Sequence, residues 1–215
     1  MSAADKSVWS GVYTADQAHR GAVVYGDACA RCHQDDLSGY TGLRGEKFFD
    51  NWREDSLASL WARVSKTMPA GAPGSLEEQK YLDVLAFILQ ANDIPPGQQE
   101  LTVSGIHGIR FQAKEGPRPV PDFALVQTTG CLVREPDGVW RLLNAAEPVR
   151  TRNPHAESVT GAKLGTAAFR LLDDSALKAA THDHRKALVK GFLIRKPNDD
   201  RLNPTAIQLT GGECP

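Results

Sequence analysis

At 215 residues the chain can form one large domain or two ordinary ones, and 41% hydrophobic with 24% charged residues is the composition of a soluble globular protein. No apolar run approaches the roughly 20 residues that a membrane-crossing helix needs, and a net charge of −1 gives the whole no bias toward nucleic acid. Divided near residue 95, the first part holds 9 Lys/Arg against 13 Asp/Glu and the second 16 against 13. That change of sign suits two domains with different surfaces.

The first 95 residues read as helical. Thr14-Ala-Asp-Gln17 has the spacing of a capping box, with Gln17 expected to reach back to the Thr14 amide. Ala18, Gly21, Ala22 and Tyr25 then recur at helical spacing. A second helix is predicted from about Ser56 to Lys66, with Leu57, Leu60, Trp61 and Val64 on one face. A third follows a second capping box, Ser75-Leu-Glu-Glu78, and carries an apolar stripe of Tyr81, Leu82, Val84, Leu85, Ile88 and Leu89 before Pro95-Pro96-Gly97 stops it.

Residues 96–122 are rich in proline and glycine and keep no period, so they read as a linker able to wrap over one of the domains. From Phe123 the texture becomes β. Strands are predicted over 124–134 and 139–146 around the turn Glu135-Pro-Asp-Gly138, then over 167–172. A short helix is expected over 174–182. A hairpin of 186–195 and 202–210 closes across Pro197-Asn-Asp-Asp200. The order β-β-β-α-β-β is that of a five-stranded OB-like barrel. The expected organisation is therefore a mostly α domain over 1–95, a linker over 96–122 and an all-β domain over 123–215.

Cys29-Ala-Arg-Cys32-His33 is the feature that carries chemistry. Two thiols three residues apart at a helix end can each add to a vinyl group of one porphyrin, and the adjacent His33 can then ligate its iron. A zinc site would want four clustered ligands, yet Cys131 and Cys214 lie far along the chain. A thioredoxin-like dithiol would follow a strand, whereas this pair ends an amphipathic helix. The reading is one covalently bound haem c.

Only Met1 and Met68 are available as sulfur ligands. Met68, in Thr67-Met68-Pro69 between two helices, is the candidate second axial ligand; its bland alternative is core filler. His19, His107, His155, His182 and His184 read as surface or linker residues. His/Met ligation raises the reduction potential and closes both axial positions, which favours electron transfer over catalysis.

With Gly11–Gly21, Tyr25, the Cys29–His33 motif, Asp36-Leu-Ser-Gly39, Leu43-Arg-Gly45, Trp52 and Thr67-Met-Pro69, residues 10–95 resemble class I c-type cytochromes. They are most similar to the cytochrome domains or subunits of periplasmic quinoprotein (PQQ-type) dehydrogenases. The resemblance implies that the first and third helices cross near Gly21, Tyr25, Tyr81 and Leu85, and that Trp52 lies near a haem propionate; core packing is the alternative for Trp52. Two residues depart from the family pattern. Gln34 stands where glycine is usual, and Thr41 where a proline carbonyl often accepts the ligand histidine's N–H, a role the Thr41 carbonyl could fill. The last domain resembles, more loosely, OB-fold domains of exported proteins, with Cys131 and Cys214 placed to form a disulfide or to remain two buried thiols. It lacks interleaved aromatic and basic residues, so nucleic acid is not an expected partner.

Haem attachment, by the same resemblance, takes place outside the bacterial cytoplasm. The N-terminus has no apolar leader. The expectation is an exported, periplasmic electron-transfer protein whose leader lies outside this sequence. It would accept electrons from a dehydrogenase and pass them to a cytochrome or oxidase, and is not itself an enzyme. Its rivals are a peroxidase-like haem enzyme and a redox or solute sensor.

Overall fold

In the computed structural model, which describes residues 6–152, 163–172 and 182–214, helices fill the first part of the chain and a sheet the last. The chain divides into two units, 1–118 and 119–215.

The first unit holds α1 (Ala15–Ala28), α2 (Ala30–His33), α3 (Glu46–Trp52), α4 (Leu57–Thr67) and α5 (Glu78–Ala91). Thr14 caps α1, its Oγ1 accepting from the Gln17 amide at 3.2 Å, and Ser56 caps α4 in the same way. The rest of the first capping box does not form. The Gln17 side chain is fully buried and instead brackets the Leu101 backbone, donating to its carbonyl at 3.1 Å and accepting from its amide at 2.7 Å. The Ser75 box is absent too: α5 begins at Glu78, and Glu77 makes no side-chain cap.

Helices α1 and α5 cross where Gly21 meets α5. A Cβ at Gly21 would lie 1.8 Å from the Asp83 carbonyl oxygen and 3.0 Å from Phe87, so only hydrogen fits. Next to this contact Tyr25 packs on the Phe87 ring at 5.1 Å. The Arg20 guanidinium binds the Asp83 carboxylate through two nitrogens, each at 3.1 Å, and Glu100 at 2.9 Å. The short α3, which the sequence pattern did not reveal, buries Phe48 and Trp52, four residues apart on one face.

Residues 96–118 are packed chain, not a free linker. Leu101, Ile106, Ile109 and Phe111 are buried in the same core as Tyr13, Tyr25, Leu57 and Leu85. The segment is tied down along its length. Strand β1 (Lys6–Ser7) pairs in parallel with β2 (Ile109–Arg110); the Trp9 indole N–H donates to the Gln112 carbonyl at 2.9 Å, with the Lys114 ammonium 4.5 Å from the ring centroid; and the Arg118 amide donates to the Glu54 carboxylate at 2.9 Å. The apolar residues of this strap follow neither a 3.6- nor a 2-residue period, because an irregular chain turns inward wherever the surface beneath it allows.

The second unit is sheet-rich: β3 (Leu125–Arg134), β4 (Trp140–Ala145), β5 (Val149–Arg150), β6 (Ala167–Leu171), β7 (Arg185–Ile194) and β8 (Arg201–Glu213). The predicted turn forms, the Gly138 amide donating to the Glu135 carbonyl at 2.8 Å. Strand β3 pairs with β4, β4 with β6, β6 in parallel with β8, β8 with β7, and β7 with β3. The short β5 adds to the start of β3. Val126, Leu132, Leu142, Phe169, Val189, Leu193 and Leu202 form its core. Cys131 and Cys214 are joined by a disulfide, with Cα atoms 5.6 Å apart. The helix expected over 174–182 lies almost wholly outside the described residues.

Phe111→Ala separates core from linker. In the core, loss of a side chain that meets Phe48 edge-on at 5.6 Å should cost about 3–5 kcal/mol in denaturant unfolding of the first unit; a linker residue would cost less than about 0.5 kcal/mol.

Candidate haem-binding site

The motif forms a single helical turn at the end of α1. Cys29 closes α1, its amide donating to the Tyr25 carbonyl at 2.8 Å, and its own carbonyl accepts from the amides of Cys32 at 3.1 Å and His33 at 3.0 Å. The two sulfurs and the imidazole are thereby fixed to one piece of backbone. Both Cys29 and Cys32 are free thiols, the first half-buried and the second exposed. Burial, and then the neighbouring Cys32, push the Cys29 thiol above its ordinary pKa.

The chain after the motif folds back over it. The Gly39 amide donates to the His33 carbonyl at 2.9 Å and the Tyr40 amide to the Cys32 carbonyl at 3.3 Å, satisfying two acceptors that a helix end leaves open. This return needs Gly39: a Cβ there would lie 2.6 Å from both the Cys32 carbonyl oxygen and the His33 carbonyl carbon. The buried Tyr25 hydroxyl donates to the Gln34 carbonyl at 2.8 Å; burial, with Cys29, Asp36 and Asp35 adding to it, pushes this phenol up to about 12.

The backbone at Gln34 and Thr41 bears on both departures from the family pattern. Gln34 has φ 64° and ψ 159°, a conformation that glycine adopts freely and other residues do not. Thr41 has φ 75°, which a proline ring cannot reach. The expected acceptance of the ligand histidine's N–H by the Thr41 carbonyl is not made. His33 is 8% exposed, and its Nδ1 is sealed from solvent with no hydrogen-bond partner.

An orphaned buried imidazole nitrogen is costly in a finished protein. An iron held by the other ring nitrogen would leave it so, but two free thiols and an imidazole on one turn, Cys29, Cys32 and His33, suit haem. Met68 sits at the end of α4, half-buried, its amide donating to the Val64 carbonyl at 3.1 Å. Its carbonyl accepts from the Tyr81 hydroxyl at 2.7 Å and the Gly74 amide at 3.1 Å. Trp52 is 5% exposed and packs beside the Phe111 ring at 6.1 Å. Among the described residues no group of three or more His, Cys, Asp or Glu is placed to hold a metal ion. No helix among them is long and apolar enough to cross a membrane.

One family model matches within the first unit. Residues 16–88 match the family described as cytochrome c oxidase, cbb3-type, subunit III. This stretch is a cytochrome c domain, which implies haem and electron transfer. Among solved structures, the sulfane dehydrogenase SoxCD from Paracoccus pantotrophus is similar at 21% identity and a TM-score of 0.36, over 52% of this chain and 66% of that one. No curated protein matches.

Gln34→Gly should relieve the backbone and raise stability by about 1 kcal/mol after the added unfolded-state entropy of glycine is subtracted. Chemical denaturation of the first unit measures it; a loss of stability would show that the Gln34 side chain compensates for its backbone.

Proposed function

We propose that this protein is a periplasmic electron carrier with one covalently bound haem c, held by thioethers from Cys29 and Cys32 and ligated by His33 and Met68. The observation that carries this reading is the single turn that presents two free thiols and a buried imidazole together. Haem bound there supplies a one-electron ferrous–ferric couple.

The chain's own residues hold and shield. The 29–33 turn and the return of Gly39 and Tyr40 over its carbonyls fix the backbone from which the His33 side chain departs. Met68, anchored through its carbonyl, offers a thioether from the far end of α4. Held by both His33 and Met68, the iron would offer no place to oxygen or peroxide, so the reading is of a carrier and not of an enzyme. Trp52, buried beside Phe111, is assigned to a haem propionate, where its indole N–H can donate.

The order of strand pairing in the second unit, β3-β4-β6-β8-β7 and back to β3, supports an OB-like barrel. The Cys131–Cys214 disulfide supports an oxidising compartment and hence export. Electrons would come from a dehydrogenase and leave to a cytochrome or oxidase, as in the proteins that the motifs resemble.

Production in a host competent for cytochrome maturation should give a red protein heavier than the bare chain by one haem, and Cys29→Ala with Cys32→Ala should abolish the added mass. Met68→Ala should remove the ferric sulfur-to-iron absorption band, lower the potential and open the iron to imidazole. A colourless product of bare-chain mass would overturn the proposal.

A further inference from the structure

Between α4 and α5 the chain runs from Met68 to Glu77, and residues 70–75 of it are exposed. Its backbone bonds are local: the Ala72 amide to the Pro69 carbonyl at 2.9 Å, the Ser75 amide to the Ala72 carbonyl at 3.2 Å, and the Gly74 amide to the Met68 carbonyl at 3.1 Å. Against this exposed loop stands Tyr81, 4% exposed in the first turns of α5. Its hydroxyl donates to the Met68 carbonyl at 2.7 Å and accepts from the Leu76 amide at 3.3 Å, so one oxygen ties down both ends of the loop. The Trp61 ring of α4, edge-on at 6.3 Å, fixes the direction of the phenol. Among the described residues no other side chain hydrogen-bonds to the backbone of 68–76.

We infer that Tyr81 is the positioning residue of the sulfur ligand: its hydroxyl fixes the backbone from which the Met68 side chain departs, and so limits how readily that ligand leaves the iron. The inference rests on Met68 being an axial ligand. A thioether is a weak, neutral ligand, so what keeps it in place against water, hydroxide or imidazole is largely how little freedom its backbone has. A loop anchored at one end only samples more conformations, and the ligand's effective concentration at the iron falls. Tyr81 itself touches no iron in this reading; it acts through the Met68 carbonyl.

The test compares ferric holoproteins of the wild type, Tyr81→Phe, Tyr13→Phe and Met68→Ala. Tyr81→Phe keeps the ring against Trp61 and deletes only the hydroxyl. Tyr13→Phe deletes another buried hydroxyl of the same unit, which donates to the Ile94 carbonyl at 2.5 Å, away from the 68–76 loop. It controls for general loosening. Imidazole titration should show Tyr81→Phe binding roughly tenfold more tightly than wild type, the ratio expected when the weakening of the loop amounts to a little more than one neutral hydrogen bond of ordinary net strength. The pH at which the sulfur-to-iron band disappears should fall by about one unit for the same reason. Tyr13→Phe should leave both readouts unchanged even if its melting temperature drops.

Equal effects of the two tyrosine variants, or none from Tyr81→Phe, would refute the positioning role while leaving Met68 ligation intact. A wild-type spectrum without the band, or a band that survives in Met68→Ala, would refute the ligation itself, and the positioning role with it.

Discussion

The crossing of α1 and α5 sets the dimensions of the haem-binding unit. Because Gly21 offers only hydrogen to the Asp83 carbonyl, the two helix backbones touch, and small residues at a crossing convert directly into shorter interaxial distance. Each helix carries one side of the site away from that point. Eight residues on, α1 ends in Cys29 and delivers the turn that holds Cys32 and His33. Two residues back along α5 from Asp83 stands Tyr81, whose hydroxyl holds the Met68 carbonyl. The turn that carries His33 and the backbone of Met68 are thus referred to the same contact, and a larger residue at position 21 would shift them relative to each other.

The strap formed by residues 96–118 adds a second constraint. It closes the core beneath Tyr13 and Trp52 with four apolar side chains and is held by groups drawn from α1, from the N-terminal strand and from the loop between α3 and α4. A buried glutamine in bidentate contact with a peptide group, as Gln17 is with Leu101, fixes position more than it adds stability. Its net worth is small, but leaving either partner unpaired in the interior is costly. The strap is therefore held in register by polar contacts and in place by apolar ones.

The legible parts of the sequence were those with a repeating or dense local signal. Helices α1, α4 and α5 and the main strands of the sheet announce themselves through apolar spacing and turn residues, and Cys29-Ala-Arg-Cys32-His33 stands out by its spacing alone. What stayed hidden depends on partners distant in sequence. Gln17 satisfies the local rule for a capping box but is drawn off by Leu101, 84 residues away. Leu101, Ile106 and Phe111 lack a period because no regular element carries them. Helix α3 is too short for a stripe. Tyr81 reads as one more apolar position on α5, and only the structure shows its hydroxyl meeting Met68, 13 residues earlier. Gln34 showed as a departure from the glycine usual at its position, but its cost in backbone conformation is visible only as an angle.

The disulfide in the second unit bears on how four cysteines reach two different fates. Thiol–disulfide exchange proceeds through the thiolate, so any cysteine that stays protonated is a slow participant. Burial, and then the nearness of Cys32, disfavour the Cys29 thiolate, while Cys131, on β3, is 2% exposed and already committed to Cys214. The folded chain thus separates its sulfur: one pair is joined as a crosslink in the second unit, and the other lies as two free thiols on the turn that ends α1.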